Sequence, residues 1–193
     1  FAPPVLQILS GERLHLSHGT IDVVLKAWGD PQAVRAAYAA AWARFGRILP
    51  ELCDELTTLR APMDEVRVAE SPVGRRMVEA CRPFAGSFLT PMAAVAGAVA
   101  DELMATMAAA APITRAYVND GGDIALRIPP GEQLVIGIAG DFTLADTPHL
   151  NGAVRLDHGS GVGGLATSGA RGRSFSLGIA DSVSVLFPWG SLL

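Results

Sequence analysis

Two apolar runs separated by Asn119-Asp120-Gly121-Gly122-Asp123 constrain this chain more than any other stretch. Asn, Asp and Gly accept positive φ and bond locally to the backbone, so these residues turn the chain back on itself. The flanking runs, Ile113 to Val118 and Ile124 to Ile128, then read as neighbouring strands joined by a tight turn. The paired glycines bare the backbone, so a ligand can approach it closely, with Asp120 and Asp123 beside it. A plain hairpin turn with solvated carboxylates is the competing reading of the same residues.

The 193 residues suffice for one domain with a sizeable core, and half of them are hydrophobic. A net charge of −4 without a dense basic stripe argues against nucleic acid as a partner. Cys53 and Cys81 have no metal-ligand spacing; a reduced pair is expected, with a disulfide left open. No signal peptide is visible, and the start at Phe1 suggests a trimmed beginning. Leu89 to Pro112 has membrane-like length, but Asp101 and Glu102 sit in its middle, so a buried helix of a cytoplasmic protein with no membrane partner is expected.

Before the turn, Val5–Leu9, Leu14–Leu16 and Thr20–Trp28 read as strands, the third with apolar residues alternating at Ile21, Val23 and Leu25. His15 and His18 read as strand and turn residues, not ligands. Asp30-Pro31, Ser71-Pro72 and Thr90-Pro91 each pair an N-cap with a proline at the first helical position, which predicts three helices. Gly46 and Pro50 predict a kink or break in the first. Arg75-Arg76 in the second reads as a solvated face. In the third, Ala93, Gly97 and Asp101 are spaced by four and share a face, and a helix start at Pro91 presents unpaired N–H groups to an anion.

After the turn, Leu134–Ile138 reads as a strand and Ala139–Leu150 as a loop, in which Asp141, Asp146 and His149 are either turn residues or an oxygen–nitrogen metal site. Gly159 to Gly164 matches G-x-G-x-x-G but does not follow a strand and open a helix, so no dinucleotide fingerprint is read there. Thr167-Ser168-Gly169-Ala170-Arg171 supplies two hydroxyls, a glycine and a guanidinium, the parts of a phosphate cradle or of a glycine-rich hairpin tip. Ser174–Ile179 and Ser182–Phe187 read as strands.

Three phrases carry a family likeness: Thr90-Pro91-Met92-Ala93-Ala94-Val95-Ala96-Gly97-Ala98-Val99-Ala100-Asp101, Val118-Asn119-Asp120-Gly121-Gly122-Asp123-Ile124-Ala125-Leu126, and the stretch from Ala166-Thr167-Ser168-Gly169 to Ala180-Asp181. The chain resembles the ApbE-type flavin-transferase superfamily, and within it the uncharacterised ApbE-like proteins. The resemblance implies a single α+β domain over residues 1–193, with antiparallel or mixed sheets packed on three main helices. It implies a small-molecule cofactor, FAD or FMN, and an enzyme of FMN-transferase type. The cofactor would lie on Thr90, Ala93, Gly97, Asp101, Asn119, Gly121, Gly122, Asp123, Thr167, Ser168, Gly169 and Arg171. Asp123 is the candidate metal contact, and no catalytic residue is assigned.

The pattern departs from the transferases where Mg²⁺ is concerned. Thr90, Ala93 and Ala96 stand where those enzymes have acidic, hydroxyl or lysine residues. Ser176-Leu177-Gly178-Ile179-Ala180-Asp181 replaces their His-x-Ile-Asp-Pro segment. Their Ala-Asp-Ala-x-x-Thr motif is missing, as though the C-terminus were truncated or divergent. Without those oxygens, metal-assisted phosphoryl transfer loses its main charge stabilisation. Two alternatives stand beside the cofactor reading. One is a non-catalytic scaffold or homo-oligomer subunit on the same fold. The other is a hydrolase using Ser168, Ser174 or Ser176 with His158 and Asp181, although no nucleophile elbow is present.

Overall fold

The computed structural model describes residues 2–66, 68–141, 149–169, 180 and 183–188. The chain opens with the meander β1 (Val5–Leu9), β2 (Arg13–His18) and β3 (Ile21–Trp28). Helices α1 (Pro31–Asp54), the short α2 (Leu56–Leu59), α3 (Pro72–Cys81) and α4 (Val95–Ala110) follow. Then come β4 (Arg115–Asp120), β5 (Asp123–Arg127), β6 (Gln133–Asp141), β7 (His149–Asp157), β8 (Val162–Ser168) and β9 (Val183–Pro188). The fold is α+β with three substantial helices. Among the described residues, seven strands form one sheet in the order β1-β2-β3-β4-β5-β8-β9, and β6 and β7 form a separate pair. Every neighbouring pair is antiparallel.

Period-2 alternation decides which face of the sheet meets the helices. Leu14, Leu16, Val23, Leu25, Ala27, Ala116 and Val118 point to one side and join the buried faces of α1, α3 and α4 in the main core. On the other side, Ile124, Leu126 and Leu165 form a second core with Leu156 of the β6–β7 pair. Strand β5 is therefore apolar on both faces, while β2 to β4 keep one face polar.

Helix α1 starts as its cap predicts: Asp30 Oδ1 accepts from the N–H groups of Gln32 (2.8 Å) and Ala33 (3.3 Å). It does not break at Gly46 or Pro50. An interior proline costs about 3 kcal/mol. Ile48, Leu49 and Leu52 flank it and are all buried, and burying such side chains gains about 1.5–3 kcal/mol each. That burial outweighs the proline and holds the last turns on the sheet.

Helix α3 also starts as predicted, with the Ser71 hydroxyl accepting from Gly74 N–H at 2.9 Å. Glu55 reinforces this cap, because its carboxylate accepts from Glu70 N–H (2.7 Å) and from the Ser71 hydroxyl. Arg75 is exposed as expected, while Arg76 is partly exposed and ion-paired. Its Nε donates to Glu102 Oε2 at 3.2 Å, and Glu102 Oε1 accepts from Arg44 Nε at 2.7 Å. Arg44 also grips Glu51 with both terminal nitrogens, at 2.9 and 2.8 Å. This network ties α1, α3 and α4 together. Burial alone would push the Glu102 carboxyl up, but the two guanidiniums outweigh it and hold the group below its ordinary range.

Pro91 does not open the α-helix directly. Pro91–Ala94 is a 3₁₀ turn, and α4 begins at Val95. By length and composition Pro91–Ala110 could cross a membrane; in this fold α4 packs against α1, α3, β4 and β5 and carries the ion-paired Glu102.

Both ends of the expected loop at Ala139–Leu150 lie in strands: β6 runs to Asp141 and β7 begins at His149. Asp146 lies outside the described residues, as do the side chains of Asp141 and His149 and the run Ser174–Ile179. The stretch Gly161-Val162-Gly163-Gly164 leads into strand β8, which sits between β5 and β9.

Candidate functional site

The β4–β5 turn is a two-residue hairpin loop with Gly121 at φ +63° and Gly122 at φ +112°. The second value lies where side chains other than hydrogen are strained, so glycine is needed there. Asn119 completes the turn: its Oδ1 accepts from Gly122 N–H at 2.9 Å. Asp120 and Asp123 are cross-strand partners and so share a face, and the alternation through Ala116 and Val118 makes it the helix-facing one. Asp120 is buried.

Asp123 joins three elements. The backbone amides of Gly97, in the first turn of α4, and of Thr167, on β8, face its carboxylate and favour its ionised form. A carboxylate at that position satisfies an orphan amide and meets the positive end of the helix dipole. Ala94, the residue at the N-cap, offers no side-chain bond of its own. Burial pushes the Asp123 carboxyl above its ordinary value, and the two amides pull back only part of the way.

The turn and β8 also touch directly. A Cβ on Gly122 would stand 3.7 Å from Thr167 Cβ and 3.8 Å from its carbonyl oxygen, an ordinary contact distance. The far side of Gly121 is open. Thr167 Oγ1 in turn pairs with Ser184 Oγ of β9 at 2.9 Å. Ser168 is exposed at the end of β8, and Gly169 is buried.

One helical turn beyond Gly97, the half-buried Asp101 carboxyl is pushed up to about 6 by burial, opposed by the charge of Arg76. Adjacent residues of α4 thus have opposite fates. Glu102 points to the buried arginine and is held ionised, while Asp101 has only the more distant help of Arg76.

The structure therefore brings Gly97, Asn119, Gly121, Gly122, Asp123 and Thr167 to one junction, with Ser168 at its edge and Asp101 one turn along α4. Thr90 and Ala93 belong instead to the 3₁₀ turn packed on α3, where Ala93 N–H donates to the Thr90 carbonyl at 3.1 Å. Ala93 is exposed and does not share an α-helical face with Gly97 and Asp101. Arg171 lies outside the described residues. Asp120, expected beside the paired glycines, is buried on the helix-facing side of the turn.

What the junction offers a ligand differs from a row of bare amides. Gly97 N–H is already committed to Asp123, so the helix tip reaches outward through a carboxylate that has further lone pairs. Those suit hydroxyl donors. The turn around Gly121 is open, and Ser168 is exposed at the end of β8. For Mg²⁺ the fit is poor: among the described residues no group of three or more His, Cys, Asp or Glu side chains could hold a metal ion.

Comparison with known proteins agrees with this architecture at family level. The UPF0280 protein MK0206 of Methanopyrus kandleri is 33% identical over 120 residues, which is 62% of this chain and 44% of the relative. The match thus spans less than half the length of that curated relative. The apo crystal structure of the Pseudomonas stutzeri flavinyl transferase ApbE aligns over 95% of this chain and 78% of its own, with 13% identity and a TM-score of 0.40. That structural likeness is too slight to carry an argument. The family described as AbpE bacteria matches residues 6–191, nearly the whole chain, and this protein belongs to it.

Proposed function

We propose that this protein binds a flavin, FAD or FMN, or another phosphate-bearing cofactor, at the junction of α4, the β4–β5 turn and β8. The observation that carries the reading is the Asp123 carboxylate, which draws Gly97 and Thr167 to the paired glycines. Three separate motif phrases thereby meet at one carboxylate. Asp123, with Asp101 beyond it, accepts from ribityl-type hydroxyls. The open side of Gly121 and the Thr167–Ser168 segment receive phosphate oxygens, and Arg171 supplies a neutralising charge. When bound, a flavin would bring redox or transferable phosphoryl chemistry; these residues orient it.

FMN transfer is the finer form of this reading, supported by family membership and by the resemblance to flavin transferases. Thermal unfolding with FAD or FMN, each with and without Mg²⁺, tests the proposal. A ligand at 100 times its Kd stabilises by about 2.7 kcal/mol, which raises Tm by roughly 5–10 °C for a chain of this size. The shift should vanish in Gly122→Leu. Absence of any shift in the parent protein at millimolar ligand overturns the reading.

A further inference from the structure

The polar face of the sheet, opposite α4, carries a second chemistry-bearing cluster. Lys26 pairs with Tyr117 across the β3–β4 ladder, and Trp28 pairs with Arg115. The Leu14–Leu25 pair sets Arg13 beside Lys26 at the end of the β2–β3 ladder. Lys26 Nζ lies 4.8 Å from the Trp28 ring centroid and Arg115 Cζ lies 4.2 Å from it, so both cations rest on one indole. Tyr117 stands against Trp28 with ring centroids 6.1 Å apart, and the positive charge of Arg13 lies near its hydroxyl.

Three cations thus converge in a chain whose net charge is −4. Like charges on adjacent strands repel, and such clustering is unfavourable unless something offsets it. The fold tethers each head by a backbone carbonyl: Arg13 to Ser10 (3.0 Å), Lys26 to Gly11 (2.6 Å) and Arg115 to Gln133 (2.9 Å). Carbonyls orient the heads without neutralising them. The carboxylate paired with the cluster is Glu132, 2.8 Å from Arg115 Nη1. Asp22, further along the same face, is taken by His15 at 3.0 Å. Among the described residues, Arg115 Nε is buried without an acceptor.

We infer that this face binds a diphosphate group, free or carried on a nucleoside. Among the described residues, three cations stand against the one carboxylate of Glu132, and this local positive excess suits a polyanion such as a diphosphate. The heads spread over three adjacent strands, roughly 10 Å at the usual strand spacing. That is wider than a single phosphate contacts. The cluster is on the opposite face from the Asp123 junction and at the other end of β4, roughly 15 Å along the strand. It is therefore a separate site and does not rest on the cofactor reading.

Calorimetric titration with pyrophosphate and with ADP at low ionic strength, followed in parallel by tryptophan fluorescence, tests it. Saturable binding that weakens as salt rises is expected, and Lys26→Met and Arg115→Met should each weaken it by about tenfold or more. Circular dichroism verifies that both variants fold. ADP binding more tightly than pyrophosphate assigns the group to a nucleotide; equal affinity assigns a free diphosphate. No saturable binding of either probe at about 10 mM overturns the inference, since even mM affinity corresponds to only about 4 kcal/mol. So does binding that survives the Lys26→Met/Arg115→Met double substitution. Binding lost in Gly122→Leu instead would belong to the cofactor junction and overturn it equally.

Discussion

Asp101→Asn is expected to stabilise this protein at neutral pH and to flatten part of its pH profile. Burial holds the Asp101 carboxyl near pH 6 against an ordinary value of 3.8, with Arg76 opposing. The folded state therefore keeps a proton that the unfolded chain releases. Below 3.8 both forms are protonated and the residue contributes nothing to the balance. Between 3.8 and about 6 the unfolded chain ionises first, so stability falls as pH rises. Above about 6 the penalty is complete. A difference of that size corresponds to about 3 kcal/mol at most. The side chain is only half-buried, so solvent screening reduces the expected effect to about 1–2 kcal/mol.

Urea melts of the parent and of Asp101→Asn from pH 4 to pH 8 measure it. The two should converge at pH 4 and separate by about 1–2 kcal/mol at pH 7, with the variant more stable. Arg76→Met, which removes the opposing charge, should shift the parent's transition to higher pH. Curves that stay parallel across the range, or a variant less stable at pH 7, would refute the argument that the carboxylate is held against its solvation. If the separation is found, stability is being given up at a residue of the proposed site, as expected where an ionisable group serves a ligand.

Three further outcomes follow from the geometry. Asp123→Ala leaves the Gly97 and Thr167 amides without their acceptor, so it should cost about 2–4 kcal/mol and speed hydrogen exchange at those two amides; unchanged exchange there would contradict the bridge. Arg44→Met leaves the buried Glu102 with Arg76 alone and should cost about 2–3 kcal/mol in urea unfolding, whereas a loss under 1 kcal/mol would mean the network is solvated. Gly74→Ala should destabilise by about 1–3 kcal/mol despite a helix-propensity gain of about 1 kcal/mol, because the new methyl meets Glu55 Cδ and Ser71 Oγ at 2.9 Å. In a Glu55→Ala background the same change should become neutral or stabilising, and a sign that does not move would rule out the Glu55 cap as the cause.

Local signals in the sequence reached as far as local physics does. Asp30-Pro31 and Ser71-Pro72 start helices because cap and proline act on their own backbone within a turn. Asn119 to Asp123 makes a hairpin because its φ requirements are met on the spot. Where neighbours from elsewhere decide, the same signals misled. Pro50 promised a break, but the buried Ile48, Leu49 and Leu52 hold α1 to the sheet. The run Gly159 to Gly164 carries no strand signal, yet Gly164 pairs with Ala125 inside the sheet. Thr90-Pro91 looked like the amide-rich start of a helix. The amide that matters belongs to Gly97, and the carboxylate that caps it comes from β5. No spacing rule within α4 could reveal that bond, because its partner is set by strand order and register. The same limit hid the Trp28 cluster. Its cations are far apart in the chain, and only antiparallel pairing of β2, β3 and β4 lines them up. A net charge of −4 argues against nucleic acid as a partner, but a smaller anion responds to local potential, which a seven-stranded sheet can concentrate on one face.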